Sequence, residues 1–292
     1  MIPFIICFLL TIVNGKLLTG IFTSFDSFDY NPGSVNTVAS PNSGWLATFP
    51  WQIDGGIVEP GDTFQLLIRC GSISDNAGAG INLAVLQTIV ASCTTERIAS
   101  VDGSAPLAKL LCTITSDIKK NAKYSGTLSL QIAFNIGKSS KADDLICTSE
   151  FSKGINSVVK QVTISDGKNE FTHYASFEGG PLRDDNPENI IFGRVKESSD
   201  SRFNFLLAGN CPNGYTVGTL GISSSEETLN CDTIYQGITS KLNAWYLPMN
   251  FQKSNFDFTC SKGSFEIRYK NIPKGYRPYI SLSSIYTEFK DI

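Results

Sequence analysis

The stretch NFDFTCSKGSFEIRYK, residues 255–270, decides the fold of this chain. Apolar residues occupy every second position on both sides of a break at 261–264, namely Phe256, Phe258, Cys260, then Phe265, Ile267 and Tyr269. Because successive side chains of a strand point to opposite faces, each run has one apolar and one polar face. The break contains a glycine and is typical of a turn. The stretch therefore predicts a β-hairpin lying on a hydrophobic core.

The residues around this hairpin extend the prediction to the last third of the chain. A disulfide between Cys231 and Cys260 would close a loop, and we expect that loop to fold over Trp245, which lies midway along it. After the hairpin, Pro273 and Pro278 interrupt strand pairing, because proline has no N–H group to donate. The last third is predicted to be all-β and stabilised by a disulfide.

The overall composition is that of a globular protein. Hydrophobic residues make up 41% and charged residues 17% of a chain of 292 residues, which is long enough for two domains. The formal net charge is only −3, with 24 Lys and Arg against 27 Asp and Glu. Proteins that bind nucleic acid concentrate Lys and Arg, so this balance argues against nucleic acid as a partner.

Residues 1–15 have the features of a secretory signal peptide. An apolar run from Ile5 to Val13 is followed by Gly15, and a small residue is typical of the position before the cleavage site. We therefore expect a secreted chain that begins at Lys16. A membrane-spanning helix needs roughly 20 apolar residues. This run is too short for one, so no membrane span is expected.

Cysteine usage fits secretion. Of the 8 cysteines, Cys7 lies in the predicted signal peptide, which leaves seven. Disulfides are the usual state of cysteines in secreted proteins. An odd number means that one thiol is free, intermolecular or without its partner. No Cys-x-x-Cys occurs and His173 is the only histidine, so a zinc site built from Cys and His is not expected.

The first half of the chain also has period-two patterning. After the turn PGDTF at 60–64, alternation predicts a strand that points Cys70 inward. Two further strands carry Cys93 and Cys112, and we expect them to be neighbours tied by these cysteines. Residues 128–134 form the clearest strand of this half, and SDGKNE at 165–170 predicts a hairpin turn.

Many short strands separated by turn residues predict two β-sandwiches. The polar segment Gly179–Glu188, rich in Gly, Pro, Asp and Asn, is the best candidate for a boundary. The first domain is therefore placed at 16–178 and the second at 179–292. A disulfide between Cys70 and Cys147 would join the start of one sheet to the end of the first domain.

Seven stretches, spread over nearly all of the predicted mature chain, resemble a known family: LTGIFTSFDSF from Leu18, PGDTFQL from Pro60, LLCTIT from Leu110, LQIAFNIG from Leu130, CPNGYTVGTLG from Cys211, GITSKLNAWYLP from Gly237 and YKNIPKGYRPY from Tyr269. They are similar to the N-terminal adhesion region of the agglutinin-like cell-wall adhesins of Candida yeasts. The stretches in the last third are the most specific.

The resemblance implies an all-β chain of two immunoglobulin-like domains in tandem, with a groove at their junction that takes flexible peptide ends of host proteins. It also implies three disulfides, which join Cys70 to Cys147, Cys93 to Cys112 and Cys231 to Cys260. The family's partner for the cysteine matching Cys211 lies in a later strand. We therefore expect the second domain to lack its final strand and Cys211 to be unpaired.

Two departures from the family affect the expected groove. The family captures a ligand carboxylate with a lysine three residues after the cysteine that matches Cys70, and this chain has Ile73 there, which cannot neutralise a carboxylate. From the resemblance we also expect this sequence to be without the family's final strand, Thr-rich stalk and anchor signal. Of the family's groove contacts only Ala133 matches. The alternative for Ala133 is an outward-facing strand residue with no role.

No set of residues indicates catalysis. His173 is flanked in a strand pattern by Phe171 and Ala175, which favours packing over service as a base. Asp184, Asp185 and Glu188 are the candidates for a glycosidase pair or for calcium, but an acidic linker is usually only solvated. We expect no enzyme activity, no metal and no cofactor.

The leading hypothesis is a secreted or cell-wall adhesin domain that binds extended peptides by strand addition at the domain junction. Its expected partners are extended peptides or C-termini of host-cell or extracellular-matrix proteins, and other yeast cells. The alternative is a degenerate or truncated paralogue that binds no ligand, which Ile73 and the missing strand favour.

Overall fold

The computed structural model describes residues 15–31, 39–74, 80–137, 141–150, 157–178, 188–196, 201–243 and 245–286. Residues 1–14 of the predicted signal peptide and 179–187 of the predicted boundary lie outside the described residues. Within the described part of the chain, no helix is long and apolar enough to cross a membrane.

The described residues up to 178, here called the first half, form two antiparallel sheets. Their elements are β1 (Ser27–Tyr30), β2 (Trp45–Asp54), β3 (Thr63–Arg69), β4 (Gly71–Ser74), β5 (Ile81–Val85), β6 (Thr88–Ile98), β7 (Leu107–Ile114), β8 (Lys123–Phe134), α1 (Ala142–Glu150), β9 (Ser157–Ser165) and β10 (Glu170–Glu178). Sheet 1 has the order β1-β2-β8-β4, and sheet 2 has the order β10-β9-β3-β7-β6-β5.

The described residues from 188 onward, here called the second half, also form two antiparallel sheets. Their strands are β11 (Ile191–Lys196), β12 (Ser201–Leu207), β13 (Tyr215–Ser223), β14 (Glu227–Leu229), β15 (Tyr235–Thr239), β16 (Gln252–Lys253), β17 (Asp257–Cys260), β18 (Ser264–Ile272) and β19 (Arg277–Tyr286). Sheet 3 has the order β11-β12-β19-β15-β16, with β14 also paired to β19, and sheet 4 has the order β13-β18-β17.

The hydrophobic residues form one core inside each half and a contact between the halves. Strand β12 shows how, because it is buried on both faces. Leu206 packs in a cluster with Phe265 and Ile267 of sheet 4. Its neighbours Phe205 and Leu207 point the other way and belong to the core cluster of the first half. Sheet 3 is therefore covered by sheet 4 on one face and by the first half on the other.

The hairpin predicted at 255–270 is present. Strands β17 and β18 pair in register from Asp257 opposite Arg268 to Cys260 opposite Phe265. Phe265 and Ile267 are buried as predicted, but Phe258 is 50% exposed. Strand β17 is the edge of sheet 4, where little covers even an inward-facing side chain.

Other strand predictions are also confirmed. Strands β6 and β7 are neighbours, with Cys93 directly opposite Cys112. Strand β8 buries Leu128, Leu130 and Ile132 on one face. Strands β9 and β10 form a hairpin around residues 166–169.

Helix α1 was not predicted. It carries Cys147, which is bonded to Cys70, and Asp143 and Asp144 in its first turn favour it through the helix dipole. The helix packs against Gly137, whose φ of 89° suits glycine and whose Cβ, if present, would collide with the helix side chain of Thr148.

Trp245 belongs to the larger core cluster. Its indole is 8% exposed and is grouped with the core residues of sheets 1 and 2 and with Tyr246 and Leu247 of its own loop. The loop that carries Trp245 reaches out of the second half to the first.

Candidate functional site

The loop at 241–250 fastens the second half to the first. Asn243 is 1% exposed, and its side-chain Nδ2 donates to the carbonyl oxygen of Ile136 at 2.9 Å. Its Oδ1 accepts from the backbone N–H groups of Trp245 at 2.9 Å and Leu247 at 3.0 Å. One buried amide thus shapes the loop and bonds it to the other half.

Two further contacts cross the same junction. Tyr279 of β19 is fully buried, and burial raises the pKa of its phenol, with a smaller increase from the nearby charge of Asp144 on α1. The ammonium of Lys141 lies 5.7 Å from the ring centre of Tyr235, and its hydrogen bond to this tyrosine raises the pKa of Lys141. The junction therefore combines apolar and polar contacts.

Strand β4 has a free edge beside this junction. At Cys70, which has a φ of 53°, the chain leaves β3 of sheet 2 and enters β4 of sheet 1. Among the described residues β4 pairs only with β8, from Gly71 opposite Phe134 to Ser74 opposite Gln131.

The hydrogen-bond pattern shows which groups face that edge. The N–H of Asn135 donates to the carbonyl of Cys70 at 2.7 Å, while the N–H of Phe134 points away from β4 and donates to Pro41 at 2.8 Å. Bonding positions alternate along an antiparallel strand. The backbone groups of Gly71 and Ile73 therefore point to the free edge of β4.

A cavity of about 410 Å³ surrounds this edge, and we call it the junction cavity. Its wall includes Gly71 and Ile73 on the core-facing side of sheet 1 and Ala133 on the outer side. The second half contributes Phe203 and Leu247. The cavity therefore lies on both sides of the strand edge and between the two halves.

Three charged residues line the junction cavity, namely Glu96, Arg97 and Asp144. Each is already bonded: Glu96 to Lys109 at 3.1 Å, Arg97 to Asp143 at 3.1 Å, and Asp144 to the Nδ2 of Asn135 at 2.7 Å. Among the described lining residues the guanidinium of Arg97 is the one cation.

A second cavity, of about 210 Å³, shares Cys70 and Phe134 with the junction cavity. Its wall includes two cationic residues, Arg69 and Lys160, and the buried ring of Phe177. Both cations have interaction partners of their own. This cavity lies within the first half.

The structure brings Ala133, the expected groove contact, and Ile73, which stands at the position of the family's lysine, into one cavity wall, although 60 positions separate them in sequence. Pattern analysis missed the contributions of Phe203, Leu247 and Asp144. The only sequence signal for the first two was their position in strand or loop segments of the second half. Nothing in a single sequence places those segments against β4.

The structure also joins the expected cysteine pairs: Cys70 to Cys147, Cys93 to Cys112 and Cys231 to Cys260. Cys211 has no disulfide partner among the described residues. Its thiol is half-buried and donates to the carbonyl oxygen of Gly214 at 2.7 Å. His173 packs its ring 5.3 Å from that of Phe25, which fits the packing role expected for it.

Comparison with known proteins identifies the family. The model of the family described as "Agglutinin-like protein, N-terminal domain" matches residues 50–291. The chain belongs to this family. The agglutinin-like proteins are adhesins and not enzymes, in agreement with the absence of enzyme activity expected from the sequence.

Curated agglutinin-like relatives cover nearly the whole chain. Agglutinin-like protein 1 of Candida albicans is 32% identical over 275 residues, which are 93% of this chain and 21% of the relative. Agglutinin-like protein 6 of the same species is 31% identical over 280 residues, which are 94% of this chain and 20% of the relative. The chain spans about a fifth of the length of these relatives.

Two solved bacterial structures share the architecture of this agglutinin-like chain. The serine-rich repeat adhesion glycoprotein Srr1 of Streptococcus agalactiae has a TM-score of 0.52 at 11% identity and covers 94% of this chain and 91% of its own. The serine-rich repeat protein Srr2 of the same species has a TM-score of 0.51 at 12% identity and covers 94% and 88%. At such identities the likeness concerns the fold alone.

Proposed function

We propose that this agglutinin-like chain is the ligand-binding part of a secreted, cell-wall adhesin and that it binds an extended peptide in the junction cavity. In this proposal the two halves are immunoglobulin-like sandwiches in tandem, at 16–178 and 179–292. The peptide adds a strand to β4. Its sources are proteins of host cells, of the extracellular matrix or of other yeast cells.

The observation that carries the proposal is the position of the cavity around a free strand edge. The backbone groups of Gly71 and Ile73 point into it, and no backbone bond outside the sheets uses them among the described residues. An added strand would satisfy these groups, and its side chains would alternate between the Ile73 side and the Ala133 side. Hydrogen bonds between the peptide main chain and β4 would then supply the affinity, and the side chains of the cavity wall would supply the selectivity.

The alternative is that the agglutinin-like fold is retained here without ligand binding. Its motive is Ile73, which replaces the cation that the family resemblance leads one to expect. The two proposals differ in one measurable property, namely whether flexible peptides bind at all.

The test uses a pool of unstructured, fluorescein-labelled peptides and fluorescence anisotropy. Replacing Ile73 by proline removes an N–H that points away from β8, so sheet 1 keeps its ladder while the outward donor is lost. We expect Ile73→Pro to weaken binding at least tenfold, whereas Ile73→Val, which keeps the N–H, retains it. Thermal unfolding of each variant checks that the fold is intact.

A second pair of variants tests the cavity wall. Ala133→Phe fills the outer side of the junction cavity and should block binding. Ser129→Phe places the same ring on the same exposed face of β8, four residues away and outside the cavity wall, and should leave binding unchanged. Absence of peptide binding by the parent chain would favour the alternative, whereas binding indifferent to both Ile73→Pro and Ala133→Phe would overturn the junction cavity as the binding site.

A further inference from the structure

We infer that the junction cavity takes the interior of an extended peptide and discriminates against a free C-terminal carboxylate. This inference rests on the proposed function and specifies its ligand. It departs from the peptide ends expected from the sequence. The argument is made from the charges of the cavity wall and from the side chain at the strand edge.

The cation in the wall is already neutralised. The Nη2 of Arg97 lies 3.1 Å from Oδ2 of Asp143. The other oxygen of Asp143 accepts the backbone N–H of Ser100 at 3.1 Å, which holds this carboxylate in place beside the guanidinium. Asp143 already offsets the charge of this guanidinium, and the Arg97 side chain is 62% exposed, so solvent screens what attraction remains. A ligand carboxylate would therefore gain little from Arg97.

The remaining charges repel a carboxylate. Glu96 and Asp144 are anionic members of the wall, and Asp144 is only 4% exposed, so solvent screens its charge poorly. Lys109 balances Glu96. Lys141 lies near Asp144, but its ammonium is outside the described wall and is bonded to Tyr235. A carboxylate placed beside Asp144 would therefore meet a buried like charge.

The strand edge itself is apolar on the core-facing side of sheet 1. Ile73 is half-buried and faces the core side of sheet 1, as does its cross-strand partner Ile132. Phe134, Phe203 and Leu247 continue this surface. A carboxylate placed there would lose its hydration without gaining a donor, whereas an apolar side chain would be favourably buried.

These features together define the ligand. Strand β4 has 4 residues and spans about 13 Å at the usual rise, so an added strand of similar length fits it. The peptide carries an apolar side chain opposite Ile73. Its chain continues beyond the cavity at both ends, because a terminus inside would bring its charge against Asp144.

The experiment uses one peptide that binds, taken from the labelled pool. It is truncated one residue at a time from its C terminus, and each length is made as the free acid and as the amide. A further form carries Gly-Ser extensions at both ends. Where the terminus enters the cavity, we expect the free acid to bind at least threefold more weakly than the amide. The extended form should bind as well as the parent.

Matched variants at the strand edge give a second readout. Ile73→Lys introduces an unpaired ammonium and should reduce or reverse the preference for the amide. Ile73→Met has similar size without charge and should leave the preference unchanged. High salt should also reduce the preference of the parent chain for the amide, because it screens the repulsion between the peptide carboxylate and the cavity wall.

The outcomes separate the inference from the proposed function. If free acid and amide bind equally at every length, or the acid binds more tightly, the inference is overturned while peptide binding in the cavity stands. If no peptide of the labelled pool binds, as free acid or as amide, both are overturned.

Discussion

The side chain of Asn243 in the second half donates to the main-chain carbonyl of Ile136 in the first half at 2.9 Å, and both groups are buried. This bond and the two that Asn243 accepts from its own loop make the contact between the halves a defined structure. The contact also helps to shape the junction cavity, since Leu247 of the same loop forms part of the cavity wall.

Replacing Asn243 by alanine should therefore destabilise the junction. The change leaves the carbonyl of Ile136 and the N–H groups of Trp245 and Leu247 without their partner, and we expect a loss of about 3 kcal/mol in the free energy of unfolding. Urea denaturation followed by tryptophan fluorescence measures it. Asn213→Ala, in an exposed turn, is the control. Equal stability of the two variants would contradict the assigned role.

The disulfides should differ in their contribution to stability. Cys70 and Cys147 are 77 positions apart in sequence, and Cys93 and Cys112 are 19 apart. Loop-closure entropy therefore predicts that the two disulfides stabilise the fold by about 4.5 and about 3.2 kcal/mol, respectively. Paired cysteine-to-alanine variants, compared by chemical denaturation, should lose stability in that order. The reverse order would show that native packing at these sites outweighs chain entropy.

A buried ion pair inside the second half should be sensitive to loss of charge. Oε1 of Glu227 lies 3.2 Å from Nη1 of Arg194, and Oε2 accepts from the hydroxyl of Ser284 at 2.6 Å. The Glu227 side chain is 2% exposed but that of Arg194 is 41% exposed, so we expect Glu227→Gln to cost about 2 kcal/mol, less than for a fully buried pair. Glu226→Gln, at the exposed neighbouring position, should cost almost nothing in the same denaturation experiment.

Asp166 should make stability depend on pH in the acid range. Burial raises the pKa of this carboxyl, but bonds from the backbone N–H groups of Asn169, Gly20 and Lys168 outweigh burial. The pKa falls below its ordinary value of 3.8. A lowered folded-state pKa gives stabilisation that is present above pH 3.8 and is lost as the pH falls through the folded-state value.

Unfolding by urea between neutral pH and about pH 2 measures this loss. Asp166→Asn should be less stable at neutral pH and should lose less on acidification. Asp257→Asn, an exposed carboxyl on β17, provides the comparison. If Asp166→Asn and the parent chain lost stability in parallel, another carboxyl would have to account for the acid dependence.

A form of the protein that lacks residues 1–15 should contain a single reactive thiol. Six of its cysteines form the three bridges, and Cys211 is left. A chromogenic thiol reagent should titrate one group per unfolded, unreduced chain, and none in Cys211→Ser. The native thiol should react more slowly, because it is half-buried and bonded to Gly214. Two or more thiols would contradict the pairing.

The sequence predicted the parts of the fold that depend on local alternation. The hairpin at 255–270 and strand β8 follow from period-two patterning, because each strand has one covered face. Phe258 shows the limit of that reasoning, since alternation gives the direction of a side chain but not whether another element covers it. Trp245 shows the same limit at larger scale, because alternation does not indicate that this residue joins a cluster containing the core of sheets 1 and 2.

The candidate site was predictable only in part. Ile73 and Ala133 came from the family resemblance and not from periodicity, and the structure places both in one wall. Helix α1 was missed because it is a single short helix whose acidic first turn was the only local signal. Asp144, Phe203 and Leu247 reach the cavity through long-range packing, which single-sequence patterns do not encode.

Cys70 has two structural roles, as the residue where the chain crosses between sheets and as one end of the bridge to Cys147. While a newly made chain still has reduced thiols, this crossing is not yet held to the helix. If peptides add to β4 as proposed, formation of this bridge would determine when the binding edge becomes fixed.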